Sequence, residues 1–277
     1  MNKLIKFFFL LTIFSINIFA QNKVEYFPSD LNINPFAANT LEPKLGFIFQ
    51  TGKNDLRLDI GNSMDLALIK LNEKALLSFG ADFFTFTLLR GESNFHFPVD
   101  AVDYLFGFNA GIKITEDNIS YGARFRLSHI SAHFVDGHYD GTNQRWRDGI
   151  NPRVYSREFV DLMPFYQIND LRVYLGFTYL INVDPVYLGK DSYQFGIDYF
   201  ASGLISKYIS PFVGYDIKLV NLTAYSANNT FQVGVKIGKP FGKGFRVYFQ
   251  YYSGKSLHGE YFDFNNEYSA IGFNLDL

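Results

Sequence analysis

Residues 244–252 read Gly-Phe-Arg-Val-Tyr-Phe-Gln-Tyr-Tyr, and residues 267–277 read Glu-Tyr-Ser-Ala-Ile-Gly-Phe-Asn-Leu-Asp-Leu. In an extended chain successive side chains point to opposite faces. The first stretch then sets Phe245, Val247, Phe249 and Tyr251 on one side, with Arg246 and Gln250 on the other beside Tyr248. The second sets Ile271, Phe273, Leu275 and Leu277 against Ala270, Gly272, Asn274 and Asp276. Each is a two-faced strand with one apolar or aromatic side and one side that collects the charges.

The same period of two extends back along the chain. Strands rich in Phe, Tyr, Ile, Val and Gly are expected at 44–51, 55–70, 73–86, 103–114, 118–134, 153–168, 171–183, 191–202, 207–219, 229–238, 244–252 and 267–277. From the third strand onward, short turns (115–117, 169–170, 203–206, 240–243) alternate with longer connections (87–102, 135–152, 184–190, 220–228, 253–266). An up-and-down barrel of the bacterial outer membrane has this asymmetry, with short periplasmic turns and long outside loops. A soluble exported sandwich, its apolar side turned inward, is the competing architecture, because alternation alone does not say which face is inside. The even strand count, the alternating loop lengths and the last strand closing on apolar Leu277 favour the membrane. The expected fold is all-β: an antiparallel transmembrane β-barrel of about 12 strands over 44–277, with apolar faces toward lipid and polar faces toward the lumen.

The rest of the composition is consistent with this. The 277 residues carry 25 basic and 27 acidic groups, so the electrostatic basis for nucleic-acid binding is missing. Aromatics make up 19% of the chain, which suits interfacial girdles. The absence of cysteine excludes disulfides, thiolate metal sites and a thiol nucleophile. Residues 1–20 place Lys3 and Lys6 before an apolar run and end at Ala20, the pattern of a secretory signal peptide. Residues 21–43, with Pro28, Pro35 and Pro43, show no regular period and are read as a periplasmic lead-in or a lumen plug.

One strand carries candidate chemistry. In 121–135, Arg124 and Arg126 belong to the lumen side, so His129, Ser131 and His133 fall on the lipid side. Polar groups there are expensive unless used or held at headgroup level. In the next strand Ser156 and Glu158 share the lipid side, while Arg157 and Asp161 share the other. A carboxylate that orients an imidazole, which in turn deprotonates a hydroxyl, makes an activated nucleophile. Ser131, His129 and Glu158 are the candidates for these roles, with His133 and Ser156 as alternative imidazole and hydroxyl. Residues i and i+2 of a strand lie roughly 6.6 Å apart, within reach of an imidazole. His129 and His133 are roughly 13 Å apart along a strand, too far to share one zinc ion, so no metal site is assigned. A cation held by His133 with Asp136, His138 or Asp140 is the weaker alternative, and a purely structural cross-strand cluster the plainer one.

The pair His129-Ile130-Ser131 resembles the His-x-Ser strand of two barrel enzymes, outer-membrane phospholipase A and lipid A 3-O-deacylase. In those families an acidic or amide partner lies on the neighbouring strand, about a dozen residues after the serine, where this chain has Asn143. The chain differs in having Ala132-His133 where the phospholipase has Asn-Gly. The segments Ser128-His129-Ile130-Ser131-Ala132-His133 and Tyr155-Ser156-Arg157-Glu158 are also similar to a bacterial outer-membrane family of no established activity. These resemblances imply an integral outer-membrane barrel that deacylates an outer-leaflet lipid, phospholipid or lipopolysaccharide, with Asn143 as alternative orienting group. No cofactor or oligomeric state is specified. The alternatives are a narrow pore or transporter lined by Arg124, Arg126, Arg157, Asp161 and Arg246, or a structural or adhesive barrel acting through loops such as Arg145-Trp146-Arg147.

Overall fold

The computed structural model describes residues 23–277, so the expected leader, 1–20, lies outside the described residues. The elements are β1 Lys23–Tyr26, β2 Leu45–Gln50, β3 Leu56–Lys70, β4 Ala75–Leu89, β5 Val99–Glu116, β6 Ile119–Phe134, β7 Tyr139–Asp140, β8 Arg145–Trp146, β9 Ser156–Ile168, β10 Leu171–Asp184, β11 Asp191–Phe200, β12 Ile209–Asn221, β13 Tyr225–Gly238, β14 Gly244–Lys255 and β15 Asn265–Asp276. Each wall strand pairs antiparallel with its neighbours, and β15 returns to β2 while β3 joins both β2 and β4. The twelve strands other than β1, β7 and β8 therefore close into a barrel, which leaves the wall without free sheet edges.

The alternation resolves as lipid outside. Val247, Phe249 and Ile271 are exposed on the outer face, whereas Arg246, Gln250, Ala270 and Asn274 are buried within. A sandwich would reverse this, because its apolar faces pack on each other. Val247→Arg, which puts a charge on the lipid face of β14 between the turn before it and its midpoint, is expected to cost about 1–3 kcal/mol. Reversible unfolding in vesicles checks it, with Val247→Leu expected to be silent.

Two connections break the expected alternation of short and long. The outside connection anticipated over 220–228 shrinks to residues 222–224, because β12 and β13 stay paired out to Asn221 and Tyr225. Polar Ser226 and Asn228, on the lumen side, hid that pairing in the sequence, since a wet lumen accepts polar side chains a packed core would refuse. Conversely, the turn anticipated at 203–206 spans 201–208.

β1 and β2 lie along the same edge of β3 at opposite ends, Lys23–Tyr26 against Ala67–Lys70 and Gly46–Phe49 against Leu56–Asp59. Between them the chain leaves the wall and runs among the inward side chains. Phe36, Ala38, Asn39 and Glu42 are buried there. Phe36 stacks on Tyr174 at 4.1 Å and lies beneath the guanidinium of Arg172 at 4.4 Å. The backbone N–H of Asn32 donates to Asp65 at 2.7 Å and that of Ala37 to Asp198 at 3.1 Å. Arg172 donates to the carbonyls of Asn34 and Pro35 at 2.9 and 2.7 Å. An irregular stretch survives at this depth because wall side chains satisfy its backbone.

Candidate functional site

β6 and β9 are joined by a long outer connection, yet they pair in continuous register from Ile119↔Ile168 to Ser131↔Ser156. That register sets His129 directly opposite Glu158. Directly opposed residues of an antiparallel pair share one face with close Cβ atoms. The imidazole Nδ1 of His129 lies 2.6 Å from Oε1 of Glu158. A carboxylate only accepts, so Nδ1 carries the hydrogen and donates it, which turns the lone pair of Nε2 away from Glu158. Both side chains are partly exposed, at 26% and 39%, on the outer surface of the barrel.

Ser131 lies two residues along on the same face, opposite Ser156 on one side and Tyr104 on the other. Its tie to the pair is one of face and register; among the described residues no hydrogen bond joins its hydroxyl to His129. Phe106, opposite His129 in β5, stacks on the imidazole with ring centroids 5.0 Å apart and walls the site on that flank. On the other flank Asn182 of β10 is the register partner of Glu158, next to an irregularity between Leu180 and Asn182. The second carboxylate oxygen, Oε2, is buried without a hydrogen-bond partner. Sequence inspection did not single out Asn182, because its pairing with Glu158 depends on that irregularity. Ser131 stands three residues before the end of β6, roughly 10 Å along the strand, on the side of the long connections.

The other candidates go elsewhere. Asn143 sits in the hairpin of β7 and β8, where its Nδ2 donates to Asp140 at 2.7 Å and its backbone N–H donates to the same carboxylate. It does not join His129. His133 is exposed on the outer face, opposite Val102 and with its ring 6.0 Å from that of Tyr104. His138 is fully buried, stacked on Phe134 at 4.2 Å, so His133 and His138 do not converge on one cation. Trp146 packs near Phe134 and His138, and edge-on to Tyr139, within the loop.

Most of the inward arginines are bound to carboxylates. Arg124 and Arg126 share Glu42 at 2.5 and 2.8 Å, Arg126 also faces Asp82 at 3.1 Å, and Arg172 holds Asp198 at 2.6 Å. Arg246 pairs with Asp276 at 3.1 Å. These pairs and the segment between β1 and β2 occupy the interior.

A closed twelve-stranded barrel with an apolar outer face and a charged, filled interior is a barrel of the bacterial outer-membrane type. The chain belongs to the family described as "Protein of unknown function (DUF1207)", which matches residues 96–276. No curated protein matches the sequence. Among solved structures, outer membrane phospholipase A from Escherichia coli is similar at 16% identity and a TM-score of 0.52, over 88% of this chain and 93% of that one. The Salmonella typhi outer membrane phospholipase dimer with bound calcium gives 16% identity and a TM-score of 0.52, over 89% and 94%. LpxR from Salmonella typhimurium is more distant, at 14% identity and a TM-score of 0.34, over 80% and 87%. At these identities the likeness is one of fold.

Proposed function

We propose that this barrel is a serine hydrolase that removes an acyl chain from an outer-leaflet lipid. The observation that carries the reading is the 2.6 Å contact between His129 and Glu158 on the outward face, with Ser131 beside it. A carboxylate and an imidazole hydrogen-bonded to each other on the outward wall are costly to keep, and a passive channel has no use for them there. The barrel fold shared with a phospholipase is in keeping with this reading.

In the proposed reaction the Ser131 hydroxyl oxygen attacks the ester carbonyl carbon. His129 Nε2 takes the hydroxyl proton as the new C–O bond forms, and the positive ring is held by Glu158 through Nδ1. When the tetrahedral intermediate collapses, His129 returns that proton to the departing lipid alcohol and Ser131 keeps the acyl group. Water, deprotonated by the same imidazole, then attacks the acyl carbonyl; the ring gives that proton to the Ser131 oxygen as its bond to carbon breaks, and the fatty acid leaves. Glu158 stays ionised throughout. Its task is to fix the tautomer and to offset the transient imidazolium charge.

The test is direct. Protein folded into phospholipid vesicles, and separately into vesicles carrying lipopolysaccharide, is assayed for released fatty acid and for covalent labelling by a fluorophosphonate. Acyl loss from one lipid class, with label on Ser131, is expected. If both lipids stay intact and no label attaches, with and without calcium, the cluster is structural and the hydrolase reading fails.

A further inference from the structure

The outer half of the lumen holds a cavity of about 80 Å³. That is the space open to atom centres, so a ligand of several non-hydrogen atoms fits. Its floor is Thr40 and Leu41, where the inner segment crosses the barrel, and its roof includes Leu257 and Phe262 of the outer connection between β14 and β15. Arg157 and Lys218 project into it from β9 and β12. The remaining lining is mixed: Ile130, Phe159, Leu180, Val220 and Leu222 form an apolar part, and Thr178, Ser192, Asn221, Asn228 and Thr230 are among the polar side chains.

The cations set this cavity apart. Arg57, Arg124, Arg126, Arg172 and Arg246 each hold a carboxylate inside the wall. Among the described residues Arg157 is the one inward wall arginine that does not. Its Nε and Nη2 are buried without hydrogen-bond partners, and its guanidinium lies over the Tyr155 ring at 4.2 Å. Lys218 donates to the Thr178 hydroxyl at 3.2 Å and, among the described residues, forms no ion pair; a third lining cation, Lys255, is turned to the carbonyl of Asp263 at 2.8 Å. Asp216 also lines the cavity, but its Oδ2 accepts from Tyr174 and Gln194, both at 2.6 Å. Asp161, the register partner of Arg126, pairs with neither cation. Buried guanidinium N–H groups are costly until an acceptor reaches them.

We infer that this cavity binds a small organic carboxylate that enters from the outside loops, its carboxylate on Arg157 and Lys218 and its short apolar tail among the aliphatic and aromatic side chains. A carboxylate takes a guanidinium in the planar two-bond geometry that suits it. Inorganic phosphate would offer the charge but leave Ile130, Phe159, Leu180, Val220 and Leu222 uncovered, and the floor at Thr40 and Leu41 facing the roof at Leu257 and Phe262 favours a short tail. The site faces the lumen, on the opposite side of the wall from His129, and does not depend on the hydrolase reading.

Calorimetric titration of the folded full-length barrel in detergent tests this with hexanoate, hexanol, dodecanoate and phosphate. Saturable binding of hexanoate alone is expected, weakened at least about tenfold in both Arg157→Gln and Lys218→Gln, the scale of losing a charged hydrogen bond. Circular dichroism establishes that each variant is folded; if one is not, the other and the wild-type comparison decide. Equal binding of hexanol would mean an apolar hole only. Phosphate or dodecanoate binding as tightly, no hexanoate binding, or hexanoate binding unchanged by the substitutions would each overturn the inference.

Discussion

Replacing Ser131 with alanine is expected to lower fatty-acid release by at least about a thousandfold while the barrel stays folded, because removing the nucleophile ends the covalent route. The substitution deletes one oxygen from a half-buried outward position whose neighbours are other side chains of the wall, so stability has little reason to change. His129→Asn is expected to fall by a similar factor, since nucleophile and base act as a unit and their losses do not add. Glu158→Gln keeps the shape but can present an amide N–H to Nδ1, which favours the wrong tautomer; a loss of roughly a hundredfold or more is expected. Asn143→Ala is the discriminating control. Asn143 is tied to Asp140 in the outer hairpin, so activity should be unchanged. Fatty-acid release and phosphonate labelling measured side by side across the four variants check the scheme. Equal activity of wild type and Ser131→Ala would remove Ser131 from any catalytic role.

Glu42→Ala is expected to produce the largest loss of stability. Its carboxylate is 2% exposed and neutralises two guanidiniums, Arg124 and Arg126, that are themselves 5% and 3% exposed. Taking away the shared acid strands both charges in the interior, and breaking a buried pair in this way costs about 3–5 kcal/mol. Arg126 retains Asp82 at 3.1 Å, which limits the penalty on that side. The control is Glu73→Ala at the opposite extreme, where the acid paired with Lys70 is 90% exposed and its loss should not register. Equilibrium unfolding of the two variants beside wild type gives the comparison. The inner segment should also loosen in Glu42→Ala, read as faster hydrogen exchange over 32–44. A stability equal to wild type would mean that the wall holds the segment without this pair.

The side of the wall on which a residue lies was legible in the sequence. A strand has only two faces, and lipid and lumen demand opposite chemistry on them, so Arg246 and Phe249 declare their directions from local pattern alone. The same rule put His129, Ser131 and Glu158 together on the outer face. Where alternation weakens, as at Ser226 and Asn228, strand limits became illegible because the lumen accepts either kind of side chain.

Register was the part that the sequence left open. A slip of one residue reverses the faces and is forbidden, but a slip of two keeps every residue on its own side and costs only pair energies. Behind a connection as long as that between β6 and β9, no turn geometry fixes the choice. Only the tertiary pairing sets Glu158, and not Asn143, against His129, brings Asn182 alongside, and leaves Arg157 facing a cavity without a carboxylate. The contacts of Glu42 with Arg124 and Arg126 are likewise beyond local pattern, because they join an irregular segment to strands more than eighty residues away. Local alternation specifies a two-faced barrel wall and the face that holds each candidate group. Which groups meet was decided by long-range pairing, since periodicity constrains direction and carries no information about distance along a neighbouring strand.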